Sequence, residues 1–159
     1  MNYEHLMQPM KVAGLTLKHR MFSSPTSIAA YDINGNYTKE AYEYYKLKAL
    51  GGAALVTVGD VLDDRTTGRS HPEQADINAP GSEQYFRTMC DAIHSGGAAA
   101  SVEIDHGGML CNPIFLDGKQ PVGPSDDTFP WGGTARGLTE EEIYWLADRY
   151  ASAAAKAKN

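Results

Sequence analysis

The stretch Ala98–Gly108, AAASVEIDHGG, limits the possible folds of this chain more than any other part of it. Its small apolar residues lead into Val102 and Ile104, and the run stops at ionisable residues and glycines. That pattern is typical of a buried strand that ends at a polar opening. Because strand side chains alternate, Val102 and Ile104 share one face and Glu103 lies on the other. A lone Glu is most often solvent-facing or partnered, whereas at the carboxyl end of a barrel strand it belongs to a site.

The composition is that of a globular chain with one hydrophobic core. The 159 residues are 42% hydrophobic and 21% charged, which predicts a single domain, 1–159. Without an apolar run of about 18 residues, no transmembrane helix and no membrane partner are expected. The amino terminus lacks the basic-then-apolar layout of a signal peptide. A net charge of −6 and the lack of a long basic run argue against nucleic acid as a partner.

Cysteine usage predicts a reducing compartment. Cys90 and Cys111 form no CxxC pair and no disulfide framework, so the cytoplasm is the expected location. Cys90 also falls on an apolar stripe of a predicted helix, which indicates a buried and inert thiol.

The chain begins with a predicted hairpin and a short strand. In residues 1–20 a turn at Ala13–Gly14 separates two short apolar runs, which is typical of a small hairpin lid. A strand from Met21 is expected to end at Pro25, since proline cannot donate a hydrogen bond to a sheet. The hydroxyl of Thr26 follows at the carboxyl end of that strand.

A helix and a second buried strand come next. Thr38 is the predicted helix cap, and the glycines at 51–52 are expected to end the helix. The apolar run 53–58 predicts a strand that stops at Gly59 and Asp60.

Two long loops, 60–81 and 107–138, follow the second and third strands. Loops of this length are usually functional or mobile. Between them, Ser82 is the predicted cap of a helix that precedes the stretch Ala98–Gly108. After the second loop, Thr139 and Glu142 form a capping box at the start of the last helix.

The element order is therefore a hairpin, 1–20, followed by three strand–helix units over 21–159. Alternation of this kind predicts an α/β fold with a parallel sheet and right-handed crossovers. A complete barrel usually needs about 250 residues. The expected architecture is thus the N-terminal part of a barrel, incomplete in this chain.

Four segments occur in an order that resembles one known family: LTLKHRMFSSPTS, TKEAYEYYKLKALGGAALVTVGDV, VEIDHGGM and LTEEEIYWLADRYASAAAKAK. Together they resemble the N-terminal half of old yellow enzyme family NADH:flavin oxidoreductases, most closely the 2,4-dienoyl-CoA reductase and bile-acid-inducible reductase branch. The resemblance implies a (β/α)8 TIM barrel that holds FMN at its mouth. It also implies that NADH or NADPH reduces the flavin, which then passes hydride to an activated C=C bond.

The resemblance also implies which residues lie beside the flavin. These positions stand at the carboxyl ends of the three predicted strands: Ser24, Pro25, Thr26, Gly59, Asp60 and Glu103. His106 would be a neighbour on the substrate side, although it could equally cap the glycine turn that follows it. The family commonly has Gln at the position of Glu103. An ionised Glu can only accept hydrogen bonds, and its charge would oppose that of reduced flavin unless burial raises its pKa.

The remaining candidates are given structural roles. His71 stands near Asp63, Asp64 and Glu73, but the spacing matches no metal-ligand pattern, so a solvated acidic loop and no metal site are expected. The tyrosines at 42, 44 and 45 are expected to pack on a helix.

Two pairs of loop residues leave alternatives open. Arg65 and Arg69 could meet an anionic substrate such as a CoA phosphate, against the simpler interpretation of a solvated pair. Phe129 and Trp131 are expected to pin their loop to the barrel and, as a second interpretation, to shape a substrate channel.

Several functional groups cannot be assigned in this chain, because the family carries them in its second half. Its substrate-activating His pair or His/Asn pair, a flavin-contacting Arg, the phosphate-binding loops and iron–sulfur cysteines would all follow the last helix. An iron–sulfur cluster is therefore not assignable. The expected substrate is a small enone or enoyl-CoA-like molecule. Because open sheet edges drive association, we expect the chain to self-associate as an oligomer or to pair with a second fragment.

Two hypotheses of different classes remain. The chain is the flavin-side half of an ene-reductase, or it is a non-catalytic, self-associating half-barrel fragment that binds no flavin alone. A fragment of another barrel, for example an aldolase-like one, fails to explain the hairpin followed by the SSPTS strand.

Overall fold

A computed structural model describes residues 3–128 and 133–158. The described part contains three α-helices and eight short strands. The strands are β1 (Met10–Val12), β2 (Leu15–Leu17), β3 (Phe22–Ser23), β4 (Leu55–Leu62), β5 (Ala99–Asp105), β6 (Val122–Gly123), β7 (Asp127–Thr128) and β8 (Thr134–Gly137). The helices are α1 (Lys39–Leu50), α2 (Ser82–Ser95) and α3 (Glu140–Lys158).

The central sheet is parallel, with the strand order β3-β4-β5. Its strands alternate with α1, α2 and α3, which confirms the predicted strand–helix order. Val56 and Val58 belong to the core, and Val102 packs against it. On the opposite face the hydroxyls of Thr57 and Ser101 lie 2.8 Å apart. The predicted alternation of β5 is therefore confirmed, with one face covered by helices and the other lined by polar groups.

The hairpin β1–β2 forms as predicted, and the segment after it covers the amino-terminal end of the sheet. The Met21 amide donates to His19 Nδ1 at 3.2 Å, so the ring carries its proton on Nε2 and donates it to the Gly52 carbonyl at 2.8 Å. Lys18 donates to the carbonyl of Gly97 at 3.0 Å. Gly52 and Gly97 precede β4 and β5, so this closure lies at the end of the sheet opposite to the predicted site.

Helices α1 and α2 pack closely where α2 ends. A Cβ placed on Gly96 would lie 2.5 Å from the Cβ of Ala49, which explains why glycine occupies this position.

Of the two predicted helix caps, one is confirmed in position. Thr38 is the N-cap residue of α1, but its hydroxyl donates to the Ala30 carbonyl and makes no capping hydrogen bond. The prediction of Ser82 as the cap of α2 is wrong. Gly81, at φ 79°, is the cap, and the Ser82 hydroxyl donates to the Ile77 carbonyl at 2.7 Å.

Strand β4 continues past Gly59 and Asp60, so the predicted strand end there is wrong. The pairing register with β5 shifts between Val58 and Val61, and Asp60 adopts a φ of 59°. This is a β-bulge, in which the extra residue is left unpaired and the strand bends before the pairing resumes. Bulges are typical of barrel rims and of sites that need a side chain turned in a new direction.

The second long loop, 107–138, contains more structure than predicted. Two short 3-10 turns, Gly108–Leu110 and Pro113–Phe115, precede a small sheet of order β6-β8-β7. These strands have two to four residues, too few for an alternating pattern to be visible in the sequence. Phe129 and Trp131, the aromatic residues of this loop, lie outside the described residues.

The capping box of α3 is confirmed. The Thr139 amide donates to Glu142 Oε2 at 2.9 Å, and the Glu142 amide donates to the Thr139 hydroxyl at 3.2 Å. Arg136 adds two donated hydrogen bonds to the same carboxylate, at 2.6 and 2.8 Å.

Among the described helices, none is long and apolar enough to cross a membrane.

The Glu142 carboxylate predicts an acid-sensitive component of stability. The Arg136 guanidinium and the Thr139 amide lower the pKa of Glu142 from 4.5 to about 2. Because the folded pKa lies below the unfolded one, the stabilisation is complete above about pH 5 and is lost as the pH falls towards 2. Glu142→Gln should therefore flatten the acid limb of unfolding curves measured by circular dichroism between these pH values. The neighbouring exposed variant Glu141→Gln should leave that limb unchanged, and an unchanged limb in Glu142→Gln would contradict the assignment.

Candidate functional site

The segment that follows β3 lies very close to the bulge of β4. A Cβ on Gly59 would lie 2.5 Å from the Thr26 nitrogen and 3.1 Å from the Pro25 carbonyl carbon. Only glycine allows this approach. In the same turn the Thr26 hydroxyl donates to the Ser24 carbonyl at 3.3 Å. The segment Ser24–Thr26 and Gly59, predicted separately, are therefore in direct contact.

The bulge at Asp60 links β4 to β5 through the predicted Glu103. The Asp60 amide donates to Glu103 Oε2 at 3.2 Å. Glu103 is exposed and lies on the face of β5 that the helices do not cover. Its carboxylate is thus turned towards the open side of the sheet, where it can still accept hydrogen bonds from a ligand.

The Asp60 side chain is held by His71. Asp60 Oδ2 lies 2.6 Å from His71 Nε2, and the imidazole stacks on the ring of Tyr31 with centroids 6.4 Å apart. The Tyr31 hydroxyl in turn lies 2.8 Å from that of Ser27. Asp60 Oδ1 is buried and has no hydrogen-bond partner among the described residues. The expectation of a solvated loop is therefore wrong for His71 itself, whose ring is bonded to Asp60 and stacked on Tyr31, while the next residues, Pro72 and Glu73, are exposed.

Gln74 is a site residue that the sequence did not reveal. Its side chain is fully buried in the loop 60–81. The amide nitrogen donates to the Asp60 carbonyl at 3.4 Å and to Asp105 Oδ2 at 3.2 Å, while its oxygen accepts from the Ser70 amide at 3.1 Å. Gln74 thereby joins the loop to the ends of β4 and β5. A lone Gln in an irregular loop carries no sequence signal for this role.

Three aspartates of the loop 60–81 are buried and have partners. Asp63 forms an ion pair with Arg149 of α3 at 3.0 Å, and Asp76 forms one with Arg65 at 3.1 Å. Asp64 accepts hydrogen bonds from Thr67 and Thr66; although burial alone would raise its pKa, these bonds hold the pKa below its usual range. The expectation of a solvated acidic loop is therefore wrong for Asp63 and Asp64, whereas Glu73 is exposed.

The two loop arginines do not form a shared anion site in the described structure. Arg65 is committed to Asp76 and the Asn34 carbonyl, and Arg69 donates to the His71 carbonyl at 3.3 Å. No group of three or more His, Cys, Asp or Glu side chains in the described residues could hold a metal ion.

His106 is fixed by a network in which every proton can be placed. Gly108 donates its amide proton to His106 Nδ1 at 3.0 Å, so the ring proton is on Nε2 and is donated to Thr67 Oγ1 at 3.0 Å. Thr67 donates its own hydroxyl proton to Asp64. Burial lowers the pKa of His106 below its usual value of 6.5. This geometry fits the turn-capping role that the sequence left open.

The His106 network predicts that more of the ring is neutral than in an unperturbed histidine at the same pH. The folded pKa is below the unfolded one, so the histidine stabilises the fold above pH 6.5, and this stabilisation is lost as the pH falls. Long-range 1H–15N NMR at about pH 6.5, where an unperturbed histidine is half charged, should show His106 mainly as the imidazole protonated on Nε2 alone. A ring that is mostly doubly protonated at that pH would contradict the network.

The site as a whole offers hydrogen-bond acceptors. Glu103 is exposed towards the open face, whereas the unpartnered oxygen of Asp60 is buried behind it. The backbone of Pro25–Thr26 packs tightly against Gly59 at the same edge of the sheet. Such an arrangement suits a flat ligand with a ring N–H directed at the Glu103 carboxylate.

The sequence pattern that defines the NADH:flavin oxidoreductase / NADH oxidase family matches residues 5–159. This chain belongs to that family. The resemblance to old yellow enzyme family proteins that the motifs indicated is thereby confirmed. A relative is the NADH oxidase of Thermoanaerobacter brockii, which is 27% identical over 158 residues, 99% of this chain and 24% of the relative. The NADH:fumarate oxidoreductase of Klebsiella pneumoniae (strain 342) is 28% identical over 150 residues, 92% and 16% of the two chains.

A solved structure confirms the fold class. The complex of 2-naphthoyl-CoA reductase with 2-naphthoyl-CoA superposes with a TM-score of 0.88 at 26% identity, and covers 99% of this chain and 26% of that one. The family member described here is therefore a partial α/β barrel, with the hairpin and three βα units of the N-terminal part. It spans between 16% and 26% of the lengths of these three proteins.

Proposed function

We propose that this chain supplies the flavin-binding face of an FMN-dependent ene-reductase, which uses NADH or NADPH to reduce activated C=C bonds. The observation that carries the proposal is the convergence of three strand ends in a member of a flavin oxidoreductase family. Pro25–Thr26, Gly59–Asp60 and Glu103 lie in one hydrogen-bonded cluster at the carboxyl edge of the sheet. In barrels, this edge is where ligands bind and chemistry takes place.

The residues present fit an isoalloxazine ring. The ring carries one N–H between two carbonyls, and the exposed carboxylate of Glu103 offers an acceptor for that N–H. Ser24, Pro25 and Thr26 would lie along the ring, and His106 would be a neighbour on the substrate side. When bound, FMN supplies the hydride acceptor and donor of the reaction, while these residues bind and orient it.

The carboxylate of Glu103 has an electrostatic consequence. A negative charge beside the ring disfavours the charge that a flavin gains on reduction, so Glu103→Gln should raise the midpoint potential of bound flavin. A tenfold change in the relative affinity for reduced flavin corresponds to about 30 mV for a two-electron couple. Spectroelectrochemistry of the flavin-loaded protein measures this, with the exposed α3 variant Glu141→Gln as the control. An unchanged or lowered potential in Glu103→Gln would contradict the placement of the carboxylate.

Substrate and partners are part of the proposal. The names of two similar proteins refer to fumarate and 2-naphthoyl-CoA, which both carry carbonyl-conjugated unsaturation. A small enone or enoyl-CoA-like substrate therefore fits the family. We place the protein in the cytoplasm because its two cysteines are free and suit a reducing compartment.

The sheet edges favour association with further polypeptide. In the described part of the chain, the outer edges of β3 and β5 pair with no other strand, and Phe22 is 60% exposed. We propose that these edges pair with a complementary half-barrel segment or with another copy of the chain. The same observation supports the second candidate function, a self-associating half-barrel that binds no flavin alone.

A visible absorption spectrum separates the two candidates. The purified protein is mixed with excess FMN, desalted, and compared with a sample that never received FMN. Retained flavin absorbance that bleaches on anaerobic addition of NADH or NADPH is the expected result for the flavin half. A protein that stays colourless and runs as an oligomer in light scattering would overturn the proposed function in favour of the second candidate.

A further inference from the structure

We propose that Tyr45 is a positioning residue of the flavin site, because its hydroxyl joins the two backbone segments that face the flavin. This inference rests on the proposed function. The sequence assigns Tyr45 only to helix packing, and helix α1 carries it on the opposite side of the sheet from the open face.

The Tyr45 hydroxyl forms two hydrogen bonds with backbone groups from different strand ends. It donates to the Thr26 carbonyl at 2.6 Å and accepts from the Gly59 amide at 3.2 Å. A phenol has one proton, so the direction of both bonds is fixed. The Tyr45 hydroxyl oxygen therefore satisfies both a carbonyl that follows β3 and an amide in the bulge of β4.

The two backbone segments pack tightly against each other beside the Tyr45 hydroxyl. The Gly59 backbone is so close to Thr26 that a Cβ would lie 2.5 Å from its nitrogen. Asp60 is the next residue, at a φ of 59°, and its amide donates a hydrogen bond to Glu103. A shift of Gly59 would therefore move the Asp60 carboxylate and its link to Glu103.

The ring of Tyr45 is held in place by its neighbours. It is fully buried, with Tyr37 and Tyr44 packed edge-on at centroid distances of 6.3 and 5.2 Å. Burial raises the pKa of the Tyr45 hydroxyl well above its usual value, so it remains a donor at any pH used in an assay. Because the packing fixes the ring, the hydroxyl holds the Thr26 carbonyl and the Gly59 amide at a set distance from each other.

The test compares Tyr45→Phe with Tyr44→Phe, which removes the hydroxyl of the half-buried neighbour on the same helix. In Tyr45→Phe we expect faster hydrogen exchange of the Gly59 amide by NMR. We also expect an FMN dissociation constant raised about tenfold, the size of one or two lost hydrogen bonds. The absorption maxima of bound flavin should shift as well, a signature that lowered stability alone does not produce. Tyr44→Phe should leave the Gly59 exchange rate and the FMN dissociation constant within twofold of the unaltered protein, and the absorption maxima unshifted.

The other outcomes separate the inference from the proposed function. If the Gly59 amide exchanges faster but FMN affinity and spectrum stay unchanged, Tyr45 is only structural and the inference is overturned, while the proposed function stands. If the unaltered protein binds no FMN, both are overturned. If Tyr45→Phe does not fold, FMN must slow Gly59 exchange and shift the Tyr45 ring resonances in the unaltered protein. Unmoved resonances there overturn the inference.

Discussion

Gly59→Ala is expected to abolish flavin binding and to lower the free energy of unfolding by about 2–3 kcal/mol. The new methyl group would lie 2.5 Å from the Thr26 nitrogen and 2.9 Å from the Thr26 carbonyl carbon. Both neighbours are backbone atoms, so no side chain can rotate away and one strand end must move. That movement separates Thr26 from Asp60, the two sides of the proposed flavin wall. Equilibrium FMN titration followed by fluorescence, together with urea unfolding, measures both effects.

Gly96→Ala is the matched control for steric strain. Its methyl group would lie 2.5 Å from the Cβ of Ala49 and 3.0 Å from the Leu50 nitrogen, at the amino-terminal end of the sheet. The cost in unfolding free energy should be similar, about 2 kcal/mol, with flavin binding retained. Equal loss of flavin binding in both variants would show that stability alone accounts for the effect and would contradict the role of Gly59 in the site.

Gln74→Leu is the second substitution with a large expected effect. The buried amide satisfies the Ser70 amide, the Asp60 carbonyl and the Asp105 carboxylate, and leucine can satisfy none of them. Leaving buried polar groups unpaired costs about 1–3 kcal/mol each and more for a charge, so a loss of about 3 kcal/mol in unfolding free energy is expected. Flavin affinity should fall too, because Asp60 loses one of its supports.

Two further variants sharpen the Gln74 prediction. The same change at the exposed Gln84 of α2 should alter stability by no more than about 0.5 kcal/mol. Gln74→Glu keeps an acceptor for Ser70 but places a carboxylate opposite Asp105, so it should be destabilising as well and more so at neutral than at acid pH. If Gln74→Leu matched Gln84→Leu in urea unfolding, the amide would not carry the links that the structure assigns to it.

Much of the fold was predictable because its signals are local. The apolar runs 53–58 and 98–104 and the glycine pairs behind α1 and α2 mark the parallel strand–helix units. The capping box Thr139–Glu142 is a short-range pattern, and both of its hydrogen bonds form. The bulge at Asp60 was missed because it depends on pairing with β5, a contact between residues far apart in the chain. The Ser82 cap was wrong because the helix begins at Ser82 itself, after Gly81 at a φ of 79°.

The position of the candidate site could be predicted from the sequence, but the residues that hold it in place could not. Strand ends on one edge of a parallel sheet must meet, so Thr26, Gly59 and Glu103 could be grouped from the sequence. Their contact with flavin stays a prediction. The residues that hold them, Gln74 and His71, come from an irregular loop whose path no local pattern defines. Their roles arise from hydrogen bonds that exist only once the loop has folded over the strand ends.

The proposed flavin site lies at the carboxyl edge of the sheet. The most direct test is a 1H–15N NMR titration of the uniformly labelled protein with FMN. We expect saturable shifts of the amides of Thr26, Gly59, Asp60 and Glu103, with the β1–β2 hairpin at the opposite end unaffected. Shifts confined to other regions, or no shifts at millimolar FMN, would contradict it.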